Sequence, residues 1–478
     1  MSSERPPEPA PRLDRFECPV ARAARLRPGA PAVELQGETL SYAQLDQRVR
    51  AWHGRIAAWK AAEQRGGQPE GARLFAPGTS GLETVALVHA AGRAGVALAL
   101  LNPRLTEGET QALIASLQPA TEARSLPAAA PAEQPGAVDP RAVQLLLFTS
   151  GTTGAPKAAR LTAGQLRASA LASNQVIGLE PASRFLCCLP LFHVGGLSIA
   201  LRCAEAGALL VLHERFDAAA AAAALEEGVT HVSLVASTLA RVLEQSARPL
   251  SHLRAALIGG GPVPQALLDR ARARGMPVLQ TYGLTETCAQ VTCERRGEAD
   301  GATAGPAMPG MEVRIEPGAP GEPGAPGAPG EPGEPGEPGE ISVRGPALML
   351  GYLGQPSVSG WWRTGDLGSL DARGRLTVHA RRVDLILSGG ENVYPAEIEA
   401  ALLLHPDVLE AAVVPAPDAR WGQVGCAFVA LRGECDLAAF LRGRLAGFKI
   451  PRRFVRLPAL PRTAAGKVDR QALIRSLG

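Results

Sequence analysis

Hydrophobic positions along this chain fall into two alternating patterns. Short apolar runs at 74–76, 95–101, 145–148, 185–192, 232–235, 255–258 and 278–280 each read as a buried strand. Stretches with helical spacing separate them. The clearest follows Ser41-Tyr-Ala-Gln44, a capping box, and repeats Leu45, Val49, Trp52, Ile56 and Trp59 on one face. Helices are also expected near 82–91, 163–174 and 216–227. Strands alternating with helices imply an α/β fold with a parallel, doubly wound sheet. Residues 311–315 and 340–344 read as two strands of a β region. From 385 onward the pattern restarts as a compact α+β unit, with a helix near 395–404, strands at 408–414 and 426–431, and a helix near 437–446. Residues 381–384 interrupt the pattern and mark the expected domain boundary.

One strand runs into unusual chemistry. Leu145-Leu-Leu-Phe-Thr-Ser-Gly-Thr-Thr-Gly-Ala-Pro-Lys157 passes from an apolar run to hydroxyls, glycines and one lysine. Such a loop offers backbone N–H groups, hydroxyls and a point charge to a polyphosphate. It is not the G-x-x-x-x-G-K-[ST] loop, because Lys157 follows Pro156 and precedes Ala158. A plain Ser/Thr/Gly turn is the competing reading, and the density of hydroxyls before a lysine favours phosphate.

Composition sharpens this. Only four of the 49 basic residues are lysines: Lys60, Lys157, Lys449 and Lys467. Where arginine serves nearly everywhere, a retained lysine points to a need for a compact ammonium on a flexible stem. Lys60, at the end of a helix, is the exception. A net charge of +3 gives no electrostatic case for nucleic acid. The eight cysteines are scattered, without C-x-x-C or ligand spacing, which favours a reducing, cytoplasmic setting and no structural zinc. The start of the chain is Pro-rich and charged, unlike a signal peptide, and no apolar run approaches the ~20 residues of a membrane span. Nothing in the composition opposes a homo-oligomer.

Other strand ends carry candidate groups. His193 closes an apolar run beside Gly195-Gly196 and is a pocket-wall candidate; a satisfied loop histidine is the bland alternative. Gly259-Gly260-Gly261 would let a planar group approach the backbone, or simply make a tight turn. Thr281-Tyr-Gly-Leu-Thr-Glu-Thr287 gathers an aromatic, hydroxyls and a carboxylate; Glu286 could hold Mg2+ or balance a helix N-terminus. In residues 317–340 glycine recurs every third position. That tract reads as a solvated extension without a catalytic role.

Taken in order, the segments 149–157, 282–287, 363–367, 381–397 and 461–470 resemble those of the adenylate-forming acyl-CoA ligases, over nearly the whole chain. The resemblance implies a large N-terminal domain of stacked doubly wound sheets plus a β region (1–381), a hinge (382–384) and a small mobile α+β domain (385–478). It implies two half-reactions: a carboxylate and ATP give acyl-AMP and pyrophosphate, then coenzyme A displaces AMP. Thr149, Ser150, Gly151, Thr152, Thr153, Gly154 and Lys157 would hold the β- and γ-phosphates. Gly259, Gly260, Gly261 and Tyr282 would flank adenine, Thr287 would lie beside it, and Glu286 would bind Mg2+. Asp366 would take the ribose hydroxyls, and Arg381 the ribose or phosphate. Lys467 would stabilise the charge developing between the carboxylate and the α-phosphate. Gly389, Gly390 and Lys449 would serve the coenzyme A step.

Within the family, segments 189–198, 285–290 and 388–398 look like a subgroup that activates an aromatic keto acid with two carboxylates. His193 (as a catalytic or pocket residue), Arg202, Thr281 and Gln290 are the candidates for reading the acid. The alternatives are a coenzyme A ligase for another aryl or medium-chain acid, and an adenylating domain that loads a carrier protein. A structural protein built on the 317–340 tract covers too little of the chain. Ala158 and Ala380 stand where the family commonly has glycine, and Val383 lacks the polar side chain common near the hinge.

Overall fold

The computed structural model describes residues 14–65, 71, 73–133, 137–150, 156–246, 248–261, 263–316, 336–380, 386–462 and 468–477. Gly151, Thr152, Thr153, Gly154, Arg381, Lys467, the 382–384 segment and residues 317–335 lie outside them.

The large domain holds two sheets that share one core. The eight-stranded sheet orders Thr292–Cys293, Val278–Tyr282, Ala255–Ile258, His231–Leu234, Arg184–Cys187, Leu209–Leu212, Pro31–Leu35 and Glu38–Ser41. Its inner six strands are parallel and its two edges antiparallel. The six-stranded sheet orders Gly351–Tyr352, Pro156–Thr162, Val143–Ser150, Leu98–Leu101, Arg73–Pro77 and Ala120–Glu122. Because side chains alternate across a strand, Leu145 and Leu147 face the shared core while Leu146 faces an outer cluster. The apolar runs are unbroken because both faces are covered.

Helices Tyr42–Arg65, Leu82–Ala94, Ala163–Ile177 and Val194–Ala206 contribute to that shared core. Leu82–Ala94 is buried on every side from Thr84 to Arg93, as expected of a helix between two sheets. The capping box is formed: Ser41 N donates to Gln44 Oε1 at 2.8 Å, and Gln44 N to Ser41 Oγ at 3.3 Å. Trp52 departs from the expected buried face; it is half-buried and its indole N–H donates to Glu83 at 2.7 Å.

Two elements differ from the sequence reading. Residues after the phosphate loop form the strand Pro156–Thr162, antiparallel to Val143–Ser150, before the helix starts. Residues Glu107–Ser116 form a helix that apolar spacing does not announce, since Leu113 is its one buried residue.

The β region is a four-stranded antiparallel sheet of Glu312–Glu316, Gly339–Arg344, Trp362–Leu370 and Leu376–Ala380. The smaller domain wraps helices around a five-stranded sheet in which Gly422–Leu431 is central. Residues 388–392 belong to a hairpin. Gly389 and Gly390 have φ of 61° and 89°, the paired left-handed residues of a type I′ turn, between Ile386–Ser388 and Glu391–Val393.

Candidate active site

Functional groups gather at the carboxyl ends of the parallel strands, where an open α/β sheet leaves a crevice. Thr149 and Lys157, at either end of the candidate phosphate segment, stand at one wall. Thr149 lies opposite Lys157 across the hairpin, and its hydroxyl faces the Lys157 carbonyl at 3.5 Å. The Lys157 ammonium sits 5.5 Å from the centre of the Tyr352 ring. Tyr352 reaches this position because Gly351–Tyr352 extends the same sheet, pairing with Ala159. Its hydroxyl donates to Glu286 Oε1 at 2.6 Å, and Met349 N donates to the Glu286 carbonyl at 2.7 Å. One aromatic therefore ties the phosphate lysine to the candidate magnesium carboxylate.

Glu286 is buried, and among the described residues Tyr352 bonds one of its carboxylate oxygens. A single protein carboxylate suits Mg2+, which takes one or two carboxylates and fills its shell with phosphate oxygens and water. Among the described residues no group of three or more His, Cys, Asp or Glu could hold a metal without them. The backbone just beyond is strained: Cys288 and Ala289 have φ of 52° and 103°. A side chain at Gly283 would run into the Ala289 carbonyl, so glycine is required there.

A second wall joins two distant candidates. Tyr282 ends the strand Val278–Tyr282, and its hydroxyl donates to Asp366 Oδ2 at 2.7 Å; both residues are buried. The Asp366 amide donates to Thr364 Oγ1 at 3.1 Å, and Arg363 pairs with Glu340 and Glu316 beneath it. Gly260 takes φ of 83°, and a Cβ on Gly261 would come within 2.6 Å of Leu387 Cδ1 from the smaller domain. Thr287 is fully buried, and its hydroxyl is bonded to Leu284.

The smaller domain closes the third side. His193 stands at the start of Val194–Ala206, and its Nε2 lies 3.1 Å from Glu391 Oε2. Asn102 Nδ2 at 3.2 Å and the Arg104 guanidinium at 2.6 Å complete the Glu391 shell. Burial pushes the Glu391 carboxyl up, but His193 and Arg104 outweigh it and leave it below the ordinary carboxylate range. Lys449 is turned to the same interface, its ammonium 2.7 Å from Glu109 and 2.6 Å from Glu397.

The candidates for reading the acid separate into two sets. Thr281 and Gln290 are bonded to each other at 3.0 Å; Gln290 also accepts from Ser173, and Thr281 donates to the Thr292 carbonyl. Arg202 is buried, its Nε has no hydrogen-bond partner among the described residues, and burial lowers its pKa to about 10. Among the described residues it has no carboxylate beside it. Glu391, Tyr352, Asn102 and Arg104 were not singled out by sequence. Glu391 lies inside the recognised 388–398 segment, and of its partners His193 was singled out while Asn102 and Arg104 were hidden; Tyr352 sits in no motif.

Two family models cover much of the chain: the AMP-binding enzyme model matches residues 113–353, and the AMP-binding enzyme C-terminal domain model matches 397–467. The chain belongs to the AMP-binding enzyme family. Among its relatives, the 2-succinylbenzoate–CoA ligase of Bacillus cereus (strain Q1) is 35% identical over 486 aligned residues, covering 95% of this chain and 97% of the relative. A double mutant of o-succinylbenzoate CoA synthetase (MenE) from Bacillus subtilis, bound to a product analogue, superposes with a TM-score of 0.86 at 33% identity, covering 96% of this chain and 98% of that one. The same Bacillus subtilis enzyme with its acyl-adenylate intermediate gives 0.70 at 34% identity and the same coverage. The arrangement of this chain is thus nearer to that of the product-analogue complex.

Proposed function

We infer that this chain joins 2-succinylbenzoate to coenzyme A in menaquinone biosynthesis, as an AMP-forming acid–thiol ligase. In the first half-reaction a carboxylate oxygen attacks the α-phosphorus of ATP and pyrophosphate leaves. In the second the coenzyme A sulfur attacks the acyl carbon and AMP leaves. The observation that carries the reading is the convergence of Lys157, Tyr352 and Glu286 with the Tyr282–Asp366 pair around one crevice, in a chain similar to succinylbenzoate ligases over 95% of its length.

The residues divide by half-reaction. Thr149 and Lys157, with the 150–154 segment, hold the β- and γ-phosphates; Asp366 accepts from the ribose, and Tyr282 both orients Asp366 and borders the adenine. Magnesium held at Glu286 would neutralise phosphate charge. Arg381 and Lys467 take the ribose or α-phosphate side of the first step. The hairpin with Gly389, Gly390 and Glu391 serves the second. Among the acid-reading candidates, Arg202 supports a dicarboxylic substrate best, because a buried guanidinium is costly until an anion joins it. Thr281 and Gln290 shape that wall through their mutual bond.

The partition at 382–384, a cytoplasmic setting and a homo-oligomer belong to the same proposal. All eight cysteines are unpaired, which supports a reducing compartment. No helix among the described residues is long and apolar enough to cross a membrane. The test is pyrophosphate release and thioester formation over a panel of acids with ATP and coenzyme A. Succinylbenzoate should give the highest kcat/KM; a preference for benzoates or medium-chain fatty acids would replace it as the substrate.

A further inference from the structure

The helix Glu107–Ser116 begins with a capping box whose acid does a second task. Glu109 N donates to Thr106 Oγ1 at 3.3 Å, while Glu109 Oε2 accepts from Thr106 N at 2.8 Å and Thr106 Oγ1 at 2.9 Å. A capping glutamate normally faces water. This one has a side chain only 10% exposed, because the smaller domain covers it. Its Oε2 also accepts from the Ala446 amide at 3.0 Å, and its Oε1 takes the Lys449 ammonium at 2.7 Å.

The charges at this contact come from two bodies. Lys449 and Glu397 both belong to the smaller domain and pair at 2.6 Å, a balanced couple in any orientation. Glu109 comes from the large domain and adds a second carboxylate to one ammonium. Burying that extra charge is unfavourable unless donors surround it. Four do: Thr106 N, Thr106 Oγ1, Ala446 N and Lys449 Nζ. Beside it Arg104 stacks 4.9 Å from the Phe448 ring centre and also binds Glu391. The short stretch 102–109 therefore grips the smaller domain at both the 446–449 segment and the Glu391 hairpin.

We propose that Glu109 is a positioning residue for thioester formation: it latches the smaller domain, through Lys449 and Ala446, in the orientation that sets Glu391 against His193. The inference rests on the ligase reading above. An orientation used for adenylation would have to release these contacts, so the latch acts on one half-reaction and not the other.

Glu109→Gln keeps an oxygen for the cap but removes the charge. Thioester formation from supplied acyl-adenylate should fall by about tenfold or more, while pyrophosphate release without coenzyme A stays within about twofold. In the Lys449→Met background, Glu109→Gln should have no further effect on the thioester step, because their interaction is already gone. Equal losses in both half-reactions, or additive effects in the double variant, would overturn the proposal. If the native enzyme fails to adenylate succinylbenzoate, the choice of acid is wrong, and the latch is read with whichever acid it does adenylate.

Discussion

His193 Nε2 and Glu391 Oε2 lie 3.1 Å apart although the residues are 198 positions apart and belong to different domains. A carboxylate can only accept, so the imidazole donates to Glu391 from Nε2. The contact exists only while the smaller domain is seated. Glu391→Gln preserves the shape and removes the charge, so thioester formation should drop roughly 10- to 100-fold with adenylation little changed. Rapid-quench measurement of the two half-reactions decides it; a loss confined to adenylation would contradict the assignment.

The same pair gives a pH dependence with a definite sign. The Glu391 carboxyl is raised by burial and lowered more by His193 and Arg104, so it ends below its ordinary 4.5. A depressed carboxylate stabilises the seated arrangement fully above pH 4.5, and that stabilisation is lost as pH falls through the depressed value. Energy transfer between dyes on the two domains should therefore report opening as the pH falls through that value. Glu391→Gln should abolish that acid transition; an unchanged transition would assign it to another group.

Tyr352 stands between Lys157 and Glu286, the proposed phosphate and magnesium groups. Tyr352→Phe removes the hydroxyl from Glu286 but keeps the ring beneath Lys157. A hydrogen bond to a charged group is worth about 1.5–3 kcal/mol, so adenylation should fall at least about tenfold. The Mg2+ concentration for half-maximal activity should rise. An unaltered Mg2+ requirement would show that the tyrosine serves packing alone.

How much of this was legible in the chain depends on how locally each feature is encoded. The buried strands and the cap at Ser41 are written in adjacent residues, and they form as expected. The strand Pro156–Thr162 is not, because Lys-Ala-Ala-Arg becomes a strand only by pairing with its neighbour. The helix Glu107–Ser116 hides because it buries so little. Motif positions such as Tyr282 and Asp366 are readable one at a time; their hydrogen bond across 84 positions is a product of tertiary packing. Glu109 carries the local mark of a capping box, but its second task does not, since Lys449 and Ala446 arrive from the other domain; Tyr352 meets Glu286 only through tertiary packing.

Arg202 offers a test of the second carboxylate. Arg202→Met keeps length and apolar packing but removes the buried cation. If that cation meets the substrate, kcat/KM for succinylbenzoate should fall about 10- to 100-fold, while an analogue lacking the second carboxylate should be affected far less. Equal effects on both acids, with a lowered Tm, would make the arginine a structural group.

The glycine-repeat tract can be removed in principle because its ends already meet. Glu316 and Glu340 are partners across the antiparallel strands that flank it. Replacing residues 318–338 by a short turn shortens a loop without moving either strand, and loop closure varies only slowly with length. Both half-reactions should retain native rates within about twofold, with Tm unchanged or slightly higher. Loss of adenylation would show that the tract takes part in the reaction.

The segment 463–467, which carries Lys467, is flanked by two anchors. The first joins its two flanks: Asp469 N donates to the Pro461 carbonyl at 2.8 Å, and Arg462 bridges Val468. The second holds the following residue, where the Arg470 guanidinium makes a two-pronged pair with Glu399 at 2.6 and 2.8 Å. That pair also seals the backbone of the edge strand Val408–Asp418: Arg470 donates to the Val413 carbonyl at 2.9 Å, and Glu399 accepts the Val413 amide at 2.6 Å. A lysine proposed to meet a developing charge needs flanking residues held this firmly, because a displacement of an ångström is costly to rate. Lysine cannot reproduce the planar fork, so Arg470→Lys should weaken the anchor while keeping its charge. Adenylation should then fall about tenfold while thioester formation from supplied acyl-adenylate stays within about twofold, the same direction expected of Lys467→Ala but smaller. A parallel fall in both half-reactions would mean that the pair only stabilises the smaller domain.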